Sequence, residues 1–235
     1  MAQTQSIKQK LDLRRAITSS AFVMILLVAV MGLFALFSIW SINRAWIEGT
    51  DRFTELRELS TASLEAQVAF KVQVQEWKNI LLRGDNAGLL AKHHAAFTAQ
   101  SAEVRSLLSS VSEQAQRIGF AEDATRADAL SQAHEALNAS YEKTLAEVQG
   151  SLPTLSAAAA RDIDQRLRGA DRALESGIGT LAADIGHTAD ARRAELVAGM
   201  KERYEALRWF IVSIILGAIL ITGYVLFGIL RATRN

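Results

Sequence analysis

Apolar side chains are arranged in two ways along this chain. Two stretches are almost continuously apolar: Ala16 to Asn43, between Arg15 and Arg44, and Trp209 to Leu230, between Arg208 and Arg231. Neither contains an Asp, Glu, Lys or Arg. Each is long enough to cross a bilayer as a helix, which takes roughly 20 residues. Between them the apolar positions become periodic. Leu56, Leu59, Ala66, Phe70, Trp77 and Leu81 form one series, and Ile163, Leu167, Ala170, Leu174, Ile178, Leu181 and Ile185 another. Both follow helical spacing, and no stretch sustains the alternation of a strand. Ala, Leu, Glu, Gln, Arg and Lys dominate this central part, and they are strong helix formers. The pattern predicts an all-α chain, an up-down four-helix bundle flanked by two transmembrane helices.

Turn residues divide the central part. Arg83-Gly84-Asp85-Asn86 supplies a glycine to end one helix and Asp or Asn to cap the next. Gly150-Ser151-Leu152-Pro153-Thr154 is a second break and holds the chain's single proline. Two weaker candidates lie between them: Ser109–Ser112, with a Ser110-x-x-Glu113 capping box, and Ile118-Gly119. Helix lengths help to choose, because a chain that leaves and returns to one membrane must climb and descend equally. With turns at Gly119 and Pro153 the two directions differ by roughly 27 Å at ~1.5 Å per residue. The earlier turn, Ser109–Ser112, nearly closes that gap and is the expectation. Treating Thr154–Arg168 as a separate short element, with the last helix starting at Gly169, closes it too.

Charge orients the layout. Lys8, Lys10, Arg14 and Arg15 precede the first apolar run against one acid, Asp12, and Arg231 and Arg234 follow the second. The positive-inside rule then predicts a two-pass protein of the bacterial inner membrane with both termini cytoplasmic. The predicted parts are a cytoplasmic basic N-terminus (1–15), transmembrane helix 1 (16–43), a periplasmic helical domain (44–208), transmembrane helix 2 (209–230) and a cytoplasmic stub (231–235). The periplasmic part carries 20 basic and 24 acidic residues. Trp40, Trp46, Tyr204 and Trp209 cluster near the outer ends of the two runs, as in an interfacial belt against membrane lipid. The first run is too long for a signal-peptide core and lacks an A-x-A-like site, so an uncleaved anchor is expected. The chain has no cysteine, which excludes disulfides and thiolate metal sites. No basic patch with interleaved aromatics suggests a nucleic-acid partner.

Candidate chemistry is sparse. Trp77 falls on the apolar face of the first helix and reads foremost as core. Lys78, Asn79 and Arg83 lie near the membrane-distal turn, and Arg168 and Arg172 are one helical turn apart. Together they are candidate ligand-binding residues, with the four cations able to hold an anion through charge-assisted hydrogen bonds. His93 and His94 are adjacent and diverge on a helix, so no metal site is expected. His134 and Tyr141, seven apart, read as a hydrogen-bonded seam on one face. Asp162 and Asp164 face different sides, and no nucleophile elbow or H-E-x-x-H is present. The chain is not expected to be an enzyme or to bind a cofactor.

Three stretches carry a resemblance. Val72-Gln73-Val74-Gln75-Glu76-Trp77-Lys78-Asn79-Ile80-Leu81-Leu82-Arg83-Gly84 resembles a segment common in the periplasmic domains of bacterial methyl-accepting chemotaxis proteins. Ala133-His134-Glu135-Ala136-Leu137 with Tyr141 and Leu145, and Leu167-Arg168-Gly169-Ala170-Asp171-Arg172, resemble later stretches of that family, in the same order. The resemblance implies a transmembrane sensory receptor module: a homodimer whose periplasmic bundle binds a small molecule or a solute-binding protein. It implies signal transmission through transmembrane helix 2, for which Trp209, Tyr224 and Arg231 are the candidate residues; Tyr224 and Arg231, near its inner end, would set the helix depth. The family continues into a HAMP linker and a signalling coiled coil, whereas this chain stops at Asn235. A cytoplasmic signalling domain or partner outside the chain is therefore expected. The sensor half of a histidine kinase or cyclase, and a structural helical membrane protein, are the alternatives.

Overall fold

The computed structural model describes residues 2–150 and 152–234. Among the described residues there are five helices and no strand: α1 (Ala2–Arg83), α2 (Ala87–Ile118), α3 (Ala121–Gln149), α4 (Ala157–Leu167) and α5 (Arg172–Arg234). The side chains of Lys8, Lys10, Asp12 and Arg234, and all of Ser151, lie outside the described residues. The chain divides into two compact units. One comprises residues 1–50 and 195–235, and the other residues 51–194. α1 and α5 each contribute to both.

In the first unit the apolar side chains are turned outward. Phe22, Leu33, Leu36 and Ile39 of α1 are about two-thirds exposed, as are Leu220 and Phe227 of α5. The two helices touch through Phe34 and Phe210, whose ring centroids are 4.6 Å apart. Hydroxyls bond back into their own helices: Thr18 Oγ1 to Arg14 O, Ser213 Oγ to Trp209 O and Thr222 Oγ1 to Ala218 O, at 2.6–2.9 Å. Such self-satisfaction suits a helix with no water beside it. Both helices are long and apolar enough to cross a membrane.

The second unit is packed the other way, with its core in three layers. At one end Leu59 of α1, Val111 and Ala115 of α2, Ala127 of α3 and Ile185 of α5 are fully enclosed. Arg126 locks α3 to α5 there, 2.8 Å from Asp184. In the middle Phe70 meets Val104, Leu108, Leu174 and Ile178. At the far end Trp77, Ile80, Phe97, Tyr141 and Leu145 pack against Leu155 and Ile163, so α4 takes the place that α5 holds lower down.

The helix ends explain the boundaries. Asn86 caps α2 by accepting from Leu89 N at 3.0 Å, as the turn residues predicted. The expected lower turn at Ser109–Ser112 is not where the chain reverses. The helix continues because Val104, Leu108, Val111 and Ala115 keep one buried stripe through it. The residues of the presumed capping box make bonds within the helix instead: Gln114 Nε2 to Ser110 Oγ at 2.7 Å, and Ser109 Oγ to Glu113 Oε1 at 3.4 Å. The reversal comes at Gly119, whose φ of 88° is left-handed. There Gly119 N and Phe120 N close back on Gln116 O and Ala115 O. Glycine takes that conformation without a Cβ clash.

The length mismatch is resolved on the descending side. Leu155 N donates to Gly84 O at 2.6 Å, and Gly179 lies against Gln67. Between these two levels the descending chain uses 24 residues where α1 uses 17. The excess is held in non-helical links on either side of α4, around Pro153 and at Arg168–Asp171. The descending side is thus two helices where a single fourth one was expected, and α5 starts at Arg172. Ser156 caps α4 by accepting from Ala159 N at 3.1 Å.

Candidate functional site

The upper half of the second unit holds its polar chemistry. Trp77 is 5 % exposed and stacks on Tyr141 at 4.4 Å with 10° between the rings, while Phe97 closes the cluster at 5.4 Å. Trp77 is therefore core, as its position on the apolar face suggested. Tyr141 sits so deep that burial pushes its phenol well above the usual range, with Asp171 adding to the effect.

Beside this aromatic cluster runs a buried polar seam. Gln73 Oε1 accepts from His134 Nε2 at 2.8 Å, and Gln73 Nε2 donates to Asn138 Oδ1 at 3.3 Å. Three residues on along α1, Glu76 Oε2 accepts from His93 Nδ1 at 2.6 Å. The seam ties α1 to both α2 and α3. The expected His134–Tyr141 seam does not form. Seven residues separate them by roughly 10 Å along one helix, beyond the reach of the two side chains. His134 bonds across to α1 instead. His93 and His94 do diverge: His94 turns out to Glu142 at 2.9 Å. No group of three or more metal-ligating side chains occurs among the described residues.

The candidate ligand-binding cations are all exposed. Lys78 and Arg83 are exposed on the last turns of α1, and Asn79 is half-buried with Nδ2 donating to Glu76 Oε1 at 3.4 Å. Arg168 and Arg172 flank the α4–α5 break, and Arg168 is already 3.4 Å from Asp164. Among the described residues no contact brings the four cations together. In the first unit Trp209 is exposed beneath the Arg208 guanidinium at 5.5 Å, Tyr224 is almost fully exposed and Arg231 is exposed.

The second unit also has an open groove of about 500 Å³ between α1 and α2. Leu64, Val68 and Val72, one helical turn apart, form its exposed apolar wall, with Glu65, Glu103 and Leu107 beside them.

The methyl-accepting chemotaxis protein CtpH of Pseudomonas aeruginosa is 31% identical over 160 residues, 68% of this chain. The chain is related to the methyl-accepting chemotaxis proteins. The match covers 25% of that relative's length. No protein-family model matches the chain, and no solved structure matches it. The chemoreceptor relationship and the two apolar helices fit a chemoreceptor-type membrane module. The buried seam was beyond sequence reading. Gln73 and His134 are 61 positions apart, and periodicity names the face of a residue but not its partner.

Proposed function

We propose that the chain is the sensory module of a chemoreceptor, crossing the bacterial inner membrane twice with both termini in the cytoplasm. Residues 44–208 form a four-helix-bundle sensor on the periplasmic side. They read a small solute or a solute-binding protein and pass the result along α5. The observation that carries this reading is the continuity of α5, a single helix of 63 residues from Arg172 to Arg234. Its first turns supply Leu174 and Ile178 to the sensor core, and its later turns supply the second apolar run. A ligand acts by its differential affinity for two arrangements of that helix. Trp209, Tyr224 and Arg231 take part in transmission, and Tyr224 and Arg231 set the helix depth in the membrane.

The receptor works as a homodimer. The exposed stripe of Leu64, Val68 and Val72 on α1 supports this, because an apolar stripe facing water favours a partner surface. Lys78, Arg83, Arg168 and Arg172 are the charges available to an anionic solute. The signal is read by a cytoplasmic signalling domain or partner. The module itself is neither an enzyme nor a cofactor protein.

A chimera joining residues 1–231 to the cytoplasmic half of a characterised chemoreceptor tests the reading. A solute that raises the melting temperature of the chain by linkage should change kinase output in the chimera. A Leu207→Pro substitution should abolish that response while leaving solute binding intact. An unchanged response in the proline variant refutes transmission through α5.

A further inference from the structure

His134 is the most enclosed titratable side chain described in the second unit, at 0 % exposure. Its Nε2 proton is committed to Gln73 Oε1, which leaves Nδ1 as the site for a second proton. Nδ1 is buried and has no hydrogen-bond partner. Phe70 lies beside the imidazole, with ring centroids 6.1 Å apart and planes 77° to one another. Phe70 in turn packs in one cluster with Leu174 and Ile178, the first turns of α5.

The surroundings offer the cation little. From α2, Arg105 opposes a second positive charge; from α3 itself, Glu135 favours one. Those two are 3.5 Å apart, more than half exposed and largely engaged with each other. α1 contributes neutral Gln73, and α5 contributes only apolar residues to the Phe70 cluster. Glu76, three residues on from Gln73 along α1, is already bonded to His93.

We propose that His134 is a proton-operated input to this receptor: acid protonates Nδ1, the unpaired buried cation favours opening of the α1–α3 seam to water, and that opening loosens the packing around the start of α5. The input needs no solute and is independent of the ligand reading above. The sign follows from the burial. Desolvation first, then Arg105, lower the histidine from 6.5 to about 4 in the folded chain. The neutral form is thus the folded one. The contribution is intact above the unfolded value near 6.5, and is lost as pH falls from there towards about 4.

Hydrogen exchange on the full chain in lipid nanodiscs, corrected for intrinsic exchange rates, tests this. Between pH 6.5 and 4.5 the opening equilibrium of peptides around residues 130–138 and 172–180 should rise roughly 40-fold by linkage. Peptides within 209–228 should not follow. His134→Gln should remove most of the rise, whereas His93→Gln and His94→Gln should keep it. No acid response in the unaltered chain overturns the proposal, as does a response that survives His134→Gln or disappears in His93→Gln. Should His134→Gln fail to fold, imidazole NMR of the unaltered chain decides. Titration near pH 4 supports the proposal, and titration near 6.5 overturns it.

Discussion

α1 runs through both units and obeys opposite rules in each. Leu33 and Leu36 are 69 % and 67 % exposed, while Leu59 and Ile80, further along the same helix, are at 0 %. Burying such a side chain is worth about 1.5–3 kcal/mol. A run of exposed ones is stable only where water is absent. Hydroxyls bond to carbonyls of their own helix in both units. In the second unit, polar side chains in the interior also reach across helices, as Gln73 does to His134 and Glu76 to His93. The helix is the same; the solvent decides what its side chains are for.

The contrast breaks most visibly at the tryptophans. Trp77→Ala removes a ring held between Tyr141 and Phe97 and should cost about 3–5 kcal/mol of the second unit's stability. Trp209→Ala changes a ring that is 62 % exposed and should leave the unfolding transition nearly in place. Denaturation of the full chain in detergent, followed by circular dichroism, compares the two. Equal losses would mean that the two units do not differ in kind. Next in size is an arginine at Leu33, which should raise the cost of membrane insertion by about 2.5–3.5 kcal/mol at mid-bilayer. Leu64→Arg, on an exposed position of the second unit, should leave insertion unchanged. An insertion reporter fused after Arg83, beyond both positions, separates them, and equal insertion would remove the lipid-facing role from the first run.

A third substitution probes the distal end. A Cβ at Gly84 would lie 2.6 Å from Ile80 O and 2.8 Å from Leu155 Cβ. Backbone cannot swing aside as a side-chain tip can, so Gly84→Ala should cost about 1–3 kcal/mol. At Gly177 the obstruction is the Leu130 Cδ2 tip, and Gly177→Ala should be milder. A milder effect at Gly84 would mean that Leu155 is not seated against it.

Much of this was legible in the sequence, and the exceptions have physical causes. The two apolar runs, the helical class and the Gly84–Asn86 break are written in composition and local turn chemistry. Trp77 could be placed in the core because a helical face is a local property. Ser109–Ser112 misled because serine marks a cap only where the apolar stripe stops, and Val111 and Ala115 carry it through. The division of the descending side into α4 and α5 was visible as an alternative, but periodicity runs across Gly169 and does not choose. The seam of Gln73, His134, Glu76 and His93 stayed hidden because each bond joins different helices. Candidate cations were chosen by proximity to a turn, and a ligand for them has still to be tested.

The smallest effect concerns those cations. Arg168 and Asp164 form an i,i+4 pair at 3.4 Å with side chains 71 % and 59 % exposed. Water and salt screen such a pair, and its worth is about 0–1 kcal/mol. Arg168→Ala should therefore shift the melting temperature by a degree or two at most. If Arg168 serves an anionic solute, the same substitution should abolish the melting-temperature rise that the solute produces, while Asp164→Ala, which releases the guanidinium, should enlarge it. Thermal scans with and without inorganic phosphate and a dicarboxylate read both effects at once. Equal anion responses in all three chains would leave Arg168 as a solvated end of α4, and the search for the ligand would move to the groove of Leu64, Val68 and Val72.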